Sequence, residues 1–198
     1  KQPKASAVLI AGARIIAVGD KDQLESLTHG RLEKQDMQGR TILPGLTDAH
    51  LHLQYYALGL EKIDCETKTK EECLRRVAER VKNTPPAEWI LGHGWNQNEW
   101  SEGGDWPTAS ELDLIAPNNP VYLTAKSLHA AWANTSALNL AQVASDTPDP
   151  KNGIIQRDSS GRATGILLES AMEFVAHVIP EPSIENIKHA IEKAQRKV

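Results

Sequence analysis

The chain has 198 residues, 40% of them hydrophobic and 24% charged, with a net charge of −4, the composition of an ordinary globular protein long enough for a sizeable core. Mild acidity without a basic run gives no footprint for nucleic acid, and no apolar stretch approaches the length of a membrane span. Two cysteines, Cys65 and Cys73, are too few and wrongly spaced for a disulfide framework or a zinc knuckle, so a reduced, cytoplasmic protein is expected.

In chain order, Ala7-Val8-Leu9-Ile10 and the run from Arg14 to Gly19 flank Ala11-Gly12-Ala13, the pattern of a β-hairpin with glycine in its loop. Gln23 to Leu32 suits a short helix followed by a turn at His29-Gly30, where His29 is a solvated loop residue. Met37 to Thr41 leads onward with Gly39 as the turn.

Ile42 to Leu53 is the most informative stretch. Read as a strand, it places Asp48, His50 and His52 on one face and Ala49, Leu51 and Leu53 on the other. Such a division suits a buried parallel strand whose back packs on helices and whose front opens into a polar site. Residues i and i+2 lie ~6–7 Å apart along a strand. Two imidazoles leaning together from that distance reach one ion at ~2.0–2.1 Å, and neutral imidazole is a preferred ligand of zinc and other transition metals. A bare His-x-His is short, and two satisfied core histidines are its structural alternative. Pro44-Gly45 before it and Asp48 beside it favour the metal reading.

Thr69-Lys70-Glu71-Glu72 is a capping box opening a helix that carries Cys73, Val77 and Val81 on one stripe and ends before Pro85-Pro86. Cys73 is thereby a core residue. Trp89 to Trp95 reads as a short strand running into a glycine-rich loop through Trp100, Gly103, Gly104 and Trp106. The tryptophans either line an apolar pocket or pack a long loop. Thr108-Ala109-Ser110-Glu111 is a second capping box, for a short helix ending at Pro117. Pro120 to Ala125 is the next strand, with Lys126 and His129 at its C-terminal end, and Asn134 caps a helix from Thr135 to Leu140. Ser145 to Gly153 is a loop. Ile154-Ile155-Gln156-Arg157 and Arg162-Ala163-Thr164 form a hairpin about Asp158 to Gly161, and Gly165 to Glu169 is a buried strand ending in an acid. Helices follow from Ser170 to Val178 and from Ser183 onward; His177 and His189 on them are surface or packing residues.

Pro44-Gly45-x-x-Asp48-x-His50-x-His52 resembles the first-strand motif of the amidohydrolase superfamily, metal-dependent hydrolases built on a (β/α)8 barrel. Gly92-His93-Gly94-Trp95, His129 to Asn134, Gly153-Ile154-Ile155 and Gly165 to Glu169 extend the resemblance to its amidohydrolase-3 group, which includes N-substituted formamide deformylases and exoenzyme regulators. The fold class implied is α/β: residues 1–41 as part of a small β-sandwich, and residues 42–198 as the N-terminal part of a TIM barrel. The resemblance implies His50 and His52 as metal ligands, with Glu169 where relatives carry a metal-bridging carbamylated lysine. His93, Trp95 and Lys126 are candidates for the substrate pocket.

The expected chemistry is hydrolysis of an amide or other C–N bond in a small-molecule substrate, on one or two zinc or other divalent transition-metal ions. Asp48 would orient a ligand imidazole, and His129 would stabilise an oxyanion or hold substrate. Glu169 is preferred to Lys126 as the anionic ligand, since lysine ligates only after carbamylation and since a charge ending the run Ile166-Leu167-Leu168 needs compensation. The alternative is an ion pair of Glu169, for instance with Lys126. A complete barrel needs ~200–250 residues, and no histidine-bearing strand follows Glu169, so the remainder is expected from a longer chain or a partner. An inactive fragment, or a regulatory or binding protein that kept the barrel, is the competing reading; self-association is left open.

Overall fold

The computed structural model describes residues 5–28, 30, 32–45 and 50–197. The chain divides into two units, one up to residue 49 and one from His50 onward.

In the first unit, β1 (Ala7–Ala11) and β2 (Arg14–Gly19) pair antiparallel as the alternation predicts, and Gly12 takes the left-handed φ of +59° in the turn. Helix α1 (Lys21–Ser26) follows, two residues earlier than expected, and buries Leu24. A turn closes at Gly39, where Arg40 N donates to Met37 O. His29 of the expected His29-Gly30 turn lies outside the described residues.

The second unit is a mixed α/β structure on a six-stranded sheet. Its strands are β3 (Ile63–Asp64), β4 (Ile90–Trp95), β5 (Val121–Ala125), β6 (Ala130–Ala133), β7 (Gly153–Arg157) and β8 (Ala163–Glu169), in the order β3-β4-β5-β6-β8-β7. β3, β4 and β5 are parallel, while β6 runs antiparallel to both β5 and β8. Four strands, β3, β4, β5 and β8, therefore point the same way and end at one edge. β6 begins at that edge.

Two departures from the sequence reading matter for the site. Among the described residues the expected strand through Ile42–Leu53 is not formed: residues 41–45 and 50–52 are irregular and exposed, and α2 (Leu53–Gly59) starts at once, while residues 46–49 lie outside the described residues. His52 is its N-cap, and its carbonyl accepts from Tyr56 N at 3.0 Å. Apolar-polar alternation needs a ladder partner on each side to hold a buried parallel strand, and none pairs with these residues among those described. The second departure is β6 itself. Ala130-Ala131-Trp132-Ala133 carries little strand propensity, yet all four residues are buried because β5 and β8 both hydrogen-bond to it.

The expected helix termini are present. Thr69 caps α3 (Lys70–Lys82), its Oγ1 accepting from Glu72 N at 3.1 Å, but the Glu72 carboxylate turns to Arg75 and Arg76 instead of closing the box. In α4 (Ala109–Ile115) the box closes: Thr108 N donates to Glu111 Oε2 at 2.7 Å. Asn134 caps α5 (Thr135–Leu140) and does more. Its Oδ1 accepts from Ala137 N and Val121 N, and its Nδ2 donates to Asn119 O and Ala116 O. One fully buried amide thus ties a helix start, a strand start and a loop together.

Cys73 and Val77 on α3 pack with Trp95, Trp132 and Leu123 in the main core, beside Cys65. The neighbouring Cys73 thiol and burial push the Cys65 thiol far up, and both cysteines are buried packing residues. The expected hairpin and the strand ending at Glu169 are one continuous β7–β8 pair. Gly165, at φ +105°, lets β8 pass close to Ala133 O and Ala109 N. Helix α6 (Met172–Ala176) is shorter than expected, and Ser183 caps α7 (Ile184–Ala194), whose Ala190 and Ala194 form a small cluster with Ala57 of α2.

Candidate functional site

His50 and His52 converge although no strand carries them. Their Nε2 atoms lie 3.1 Å apart and the rings meet edge to face with centroids 4.9 Å apart. Two imidazole nitrogens bound at ~2.0–2.1 Å to one ion subtend about 100° at that separation, close to a tetrahedral angle. The donor chemistry and spacing therefore fit two members of a transition-metal shell. Among the described residues no group of three or more His, Cys, Asp or Glu side chains stands ready to hold an ion. Asp48, the expected orienting acid, lies outside the described residues.

The shared strand edge gathers most of the other expected residues. His129 Nδ1 and Glu169 Oε2 are 3.1 Å apart, and Glu169 N donates to His129 O at 3.1 Å. Their juxtaposition follows from the β6–β8 register, which sets Ala130 opposite Leu168. Glu169 holds a left-handed φ of +51°, an uncommon state for glutamate, of the kind found at functional sites. Its side chain is more than half exposed, which corrects the argument from a buried charge: the burial ends at Leu167.

Lys126 does not pair with Glu169. Its Nζ lies 2.6 Å from Glu66 Oε1 and 3.5 Å from Glu99 Oε1. The Glu66 carboxylate, helped by Glu99, holds the Lys126 pKa above its usual value, so the side chain stays a cation. Nothing in the pattern around Cys65 marked Glu66 as its partner; only the β3–β4–β5 packing brings it there.

His93 is half-buried in β4, opposite Asp64 and Thr124 in the ladder, and lines neither cavity of this edge. Trp95 is fully buried, its indole N–H donating to Leu123 O at 2.8 Å; it packs the core and only borders a cavity. Trp100 is buried beside it, 6.1 Å between ring centroids. Trp106 differs from both, being 37% exposed. It borders two adjoining cavities, one of about 450 Å³ with His129 and Glu169 in its wall, the other of about 520 Å³ with Lys126. Sequence reasoning grouped the three tryptophans; the structure separates two that pack from one that faces open space. Among the described residues no helix is long and apolar enough to cross a membrane.

A sequence profile of the amidohydrolase family matches residues 33–198. The chain is 39% identical over 84% of its length to an N-substituted formamide deformylase from Arthrobacter pascens, of which it covers 31%. It is 36% identical over 98% of its length to Protein LONG AFTER FAR-RED 3 from Arabidopsis thaliana, covering 33% of that protein. The crystal structure of an uncharacterized metal-dependent hydrolase from Pyrococcus horikoshii superposes with a TM-score of 0.59 at 31% identity, over 96% of this chain and 36% of that one. The chain thus spans about a third of the length of the relatives it matches.

Proposed function

Because the chain belongs to the amidohydrolase family, we propose that it forms the N-terminal part of a metal-dependent hydrolase that cleaves an amide or other non-peptide C–N bond with metal-activated water. The observation that carries this reading is the 3.1 Å approach of His50 Nε2 and His52 Nε2. In it these nitrogens hold zinc or another divalent transition ion, and Glu169 adds a carboxylate oxygen. When bound, such an ion lowers the pKa of its water from ~15.7 to ~7 and polarises a carbonyl. Asp48 orients a ligand imidazole.

His129 engages Glu169 through Nδ1, which leaves Nε2 as the nitrogen that meets substrate and donates to the developing oxyanion. Lys126 is already held as a cation by Glu66, and carbamylation needs a neutral amine. That favours Glu169 over Lys126 as the anionic ligand. The same reading takes β3, β4, β5 and β8, which share one direction, as strands of a (β/α)8 barrel. Residues 1–41 then belong to a small β-sandwich, and the remaining barrel comes from further chain or a partner.

Metal analysis of the full-length protein tests the proposal. A His50→Ala, His52→Ala double variant is expected to lose most of its metal and its turnover on a panel of amides. Unchanged metal stoichiometry in a folded double variant overturns it.

A further inference from the structure

We propose that the strand edge beside Trp106 is a two-chambered substrate groove that selects molecules with an unbranched or aromatic hydrocarbon group attached to a hydrogen-bonding carbonyl head, with Trp106 and Ile154 as the specificity-determining residues. The inference rests on the hydrolase reading for the identity of the head group and goes beyond it in naming the tail.

The apolar chamber is built by strand register. Ile154 of β7 lies opposite Leu168 of β8, and Leu168 lies opposite Ala130 of β6. Directly opposed residues project to the same face of a sheet, so these three form one apolar row across three strands. All three line the cavity of about 450 Å³, and Trp106 closes it from the loop after β4. Ile154 is 53% exposed although its neighbour Ile155 is buried. A branched apolar side chain and a half-open indole facing the same concave space are the groups that gain most from covering by a hydrocarbon. His129 and Glu169 stand next to Ala130 and Leu168 along the chain, beside the row and also in that cavity.

The second chamber has the opposite character. Asn96, Gln97, Asn98 and Lys126 line it, and it shares Trp106, Ser127 and Ala130 with the first. A ligand lying in both has its hydrocarbon on the Ile154–Leu168–Ala130 row, its carbonyl at His129 in the wall of the first chamber, and any further polar group among the amides and the ammonium of the second. Each volume lies within the range of small-molecule sites. Trp106 is the shared wall, so its size sets how far the tail extends.

The test uses the full-length metal-loaded protein and methyl alkyl ketones, from methyl ethyl to methyl hexyl ketone. These keep the carbonyl and the tail but have no C–N bond to cleave. Calorimetric affinity is expected to rise about two- to fourfold per methylene until the chamber is filled. Ile154→Thr should flatten that slope, and Trp106→Ala should move the optimum to longer tails. An affinity independent of chain length in the unaltered protein, or the same slope and optimum in both variants, overturns the inference. Ile154→Thr decides alone if Trp106→Ala fails to fold. Turnover of the matching N-alkylacetamides is measured in parallel. Turnover without chain-length dependence defeats the groove and spares the hydrolase reading, whereas chain-length-dependent ketone binding without any turnover does the reverse.

Discussion

Two pairs of side chains sit at the same 3.1 Å separation in this protein and are built in opposite ways. His50 and His52 are two residues apart, on an exposed irregular segment that no strand pairs with among the described residues. His129 and Glu169 are forty residues apart and meet because β6 and β8 are in register and Glu169 N donates to His129 O. The first pair is two residues apart on one segment, so spacing along the chain sets its reach. The second exists only if the sheet does. The difference teaches that a pair set by spacing along the chain and a pair set by strand register respond to different mutations, one to changes at its own residues and the other to changes in the sheet.

The largest expected effect breaks the second pair through the sheet. A Cβ on Gly165 would lie 2.6 Å from Ala133 O and 2.7 Å from Ala109 N, at a φ of +105°. Gly165→Ala should therefore cost about 4 kcal/mol or prevent folding, read as the urea midpoint. Leu51→Ala, between the two histidines and 50% exposed, should stay within ~0.5 kcal/mol. Similar midpoints for the two variants would erase the contrast.

Next comes Asn134→Ala, which strips the buried amide that serves Ala137 N, Val121 N and two carbonyls. It combines a lost helix cap with stranded backbone groups, and about 2–3 kcal/mol of destabilisation is expected. A loss below ~1 kcal/mol would mean that water replaces the amide and that β6 is less dependent on this corner.

The smallest effect sharpens the comparison at the β7–β8 turn, which supports Glu169 from the far end of the hairpin. Ser160 Oγ, with Arg162 N and Ser160 N, donates to the Asp158 carboxylate and holds its pKa at about 2. Its folded pKa lies below the unfolded value of ~3.9. The contribution is therefore present above pH ~3.9 and lost as pH falls through about 2. Amide chemical shifts of Ser160 and Arg162 should titrate near pH 2; a midpoint near pH 4 would show that the turn does not hold the carboxylate.

Local chemistry in the sequence was enough for several elements. Gly12 and the alternation around it set the first hairpin, and Thr69, Thr108, Asn134 and Ser183 marked their helix starts. The His-x-His spacing announced a convergent imidazole pair, because two residues of separation bring both rings within reach whether the backbone is a strand or the lead into a helix. Tertiary structure decided what neighbours in space decide. β6 is a strand because β5 and β8 flank it, against the low strand propensity of its alanines. Lys126 pairs with Glu66 and Glu169 with His129 because sheet order put them together across sixty and forty residues. The tryptophans divide into Trp95 and Trp100, which pack, and Trp106, which faces the cavities, because burial belongs to the whole fold and no local pattern of apolar residues encodes which of three similar rings will be left uncovered.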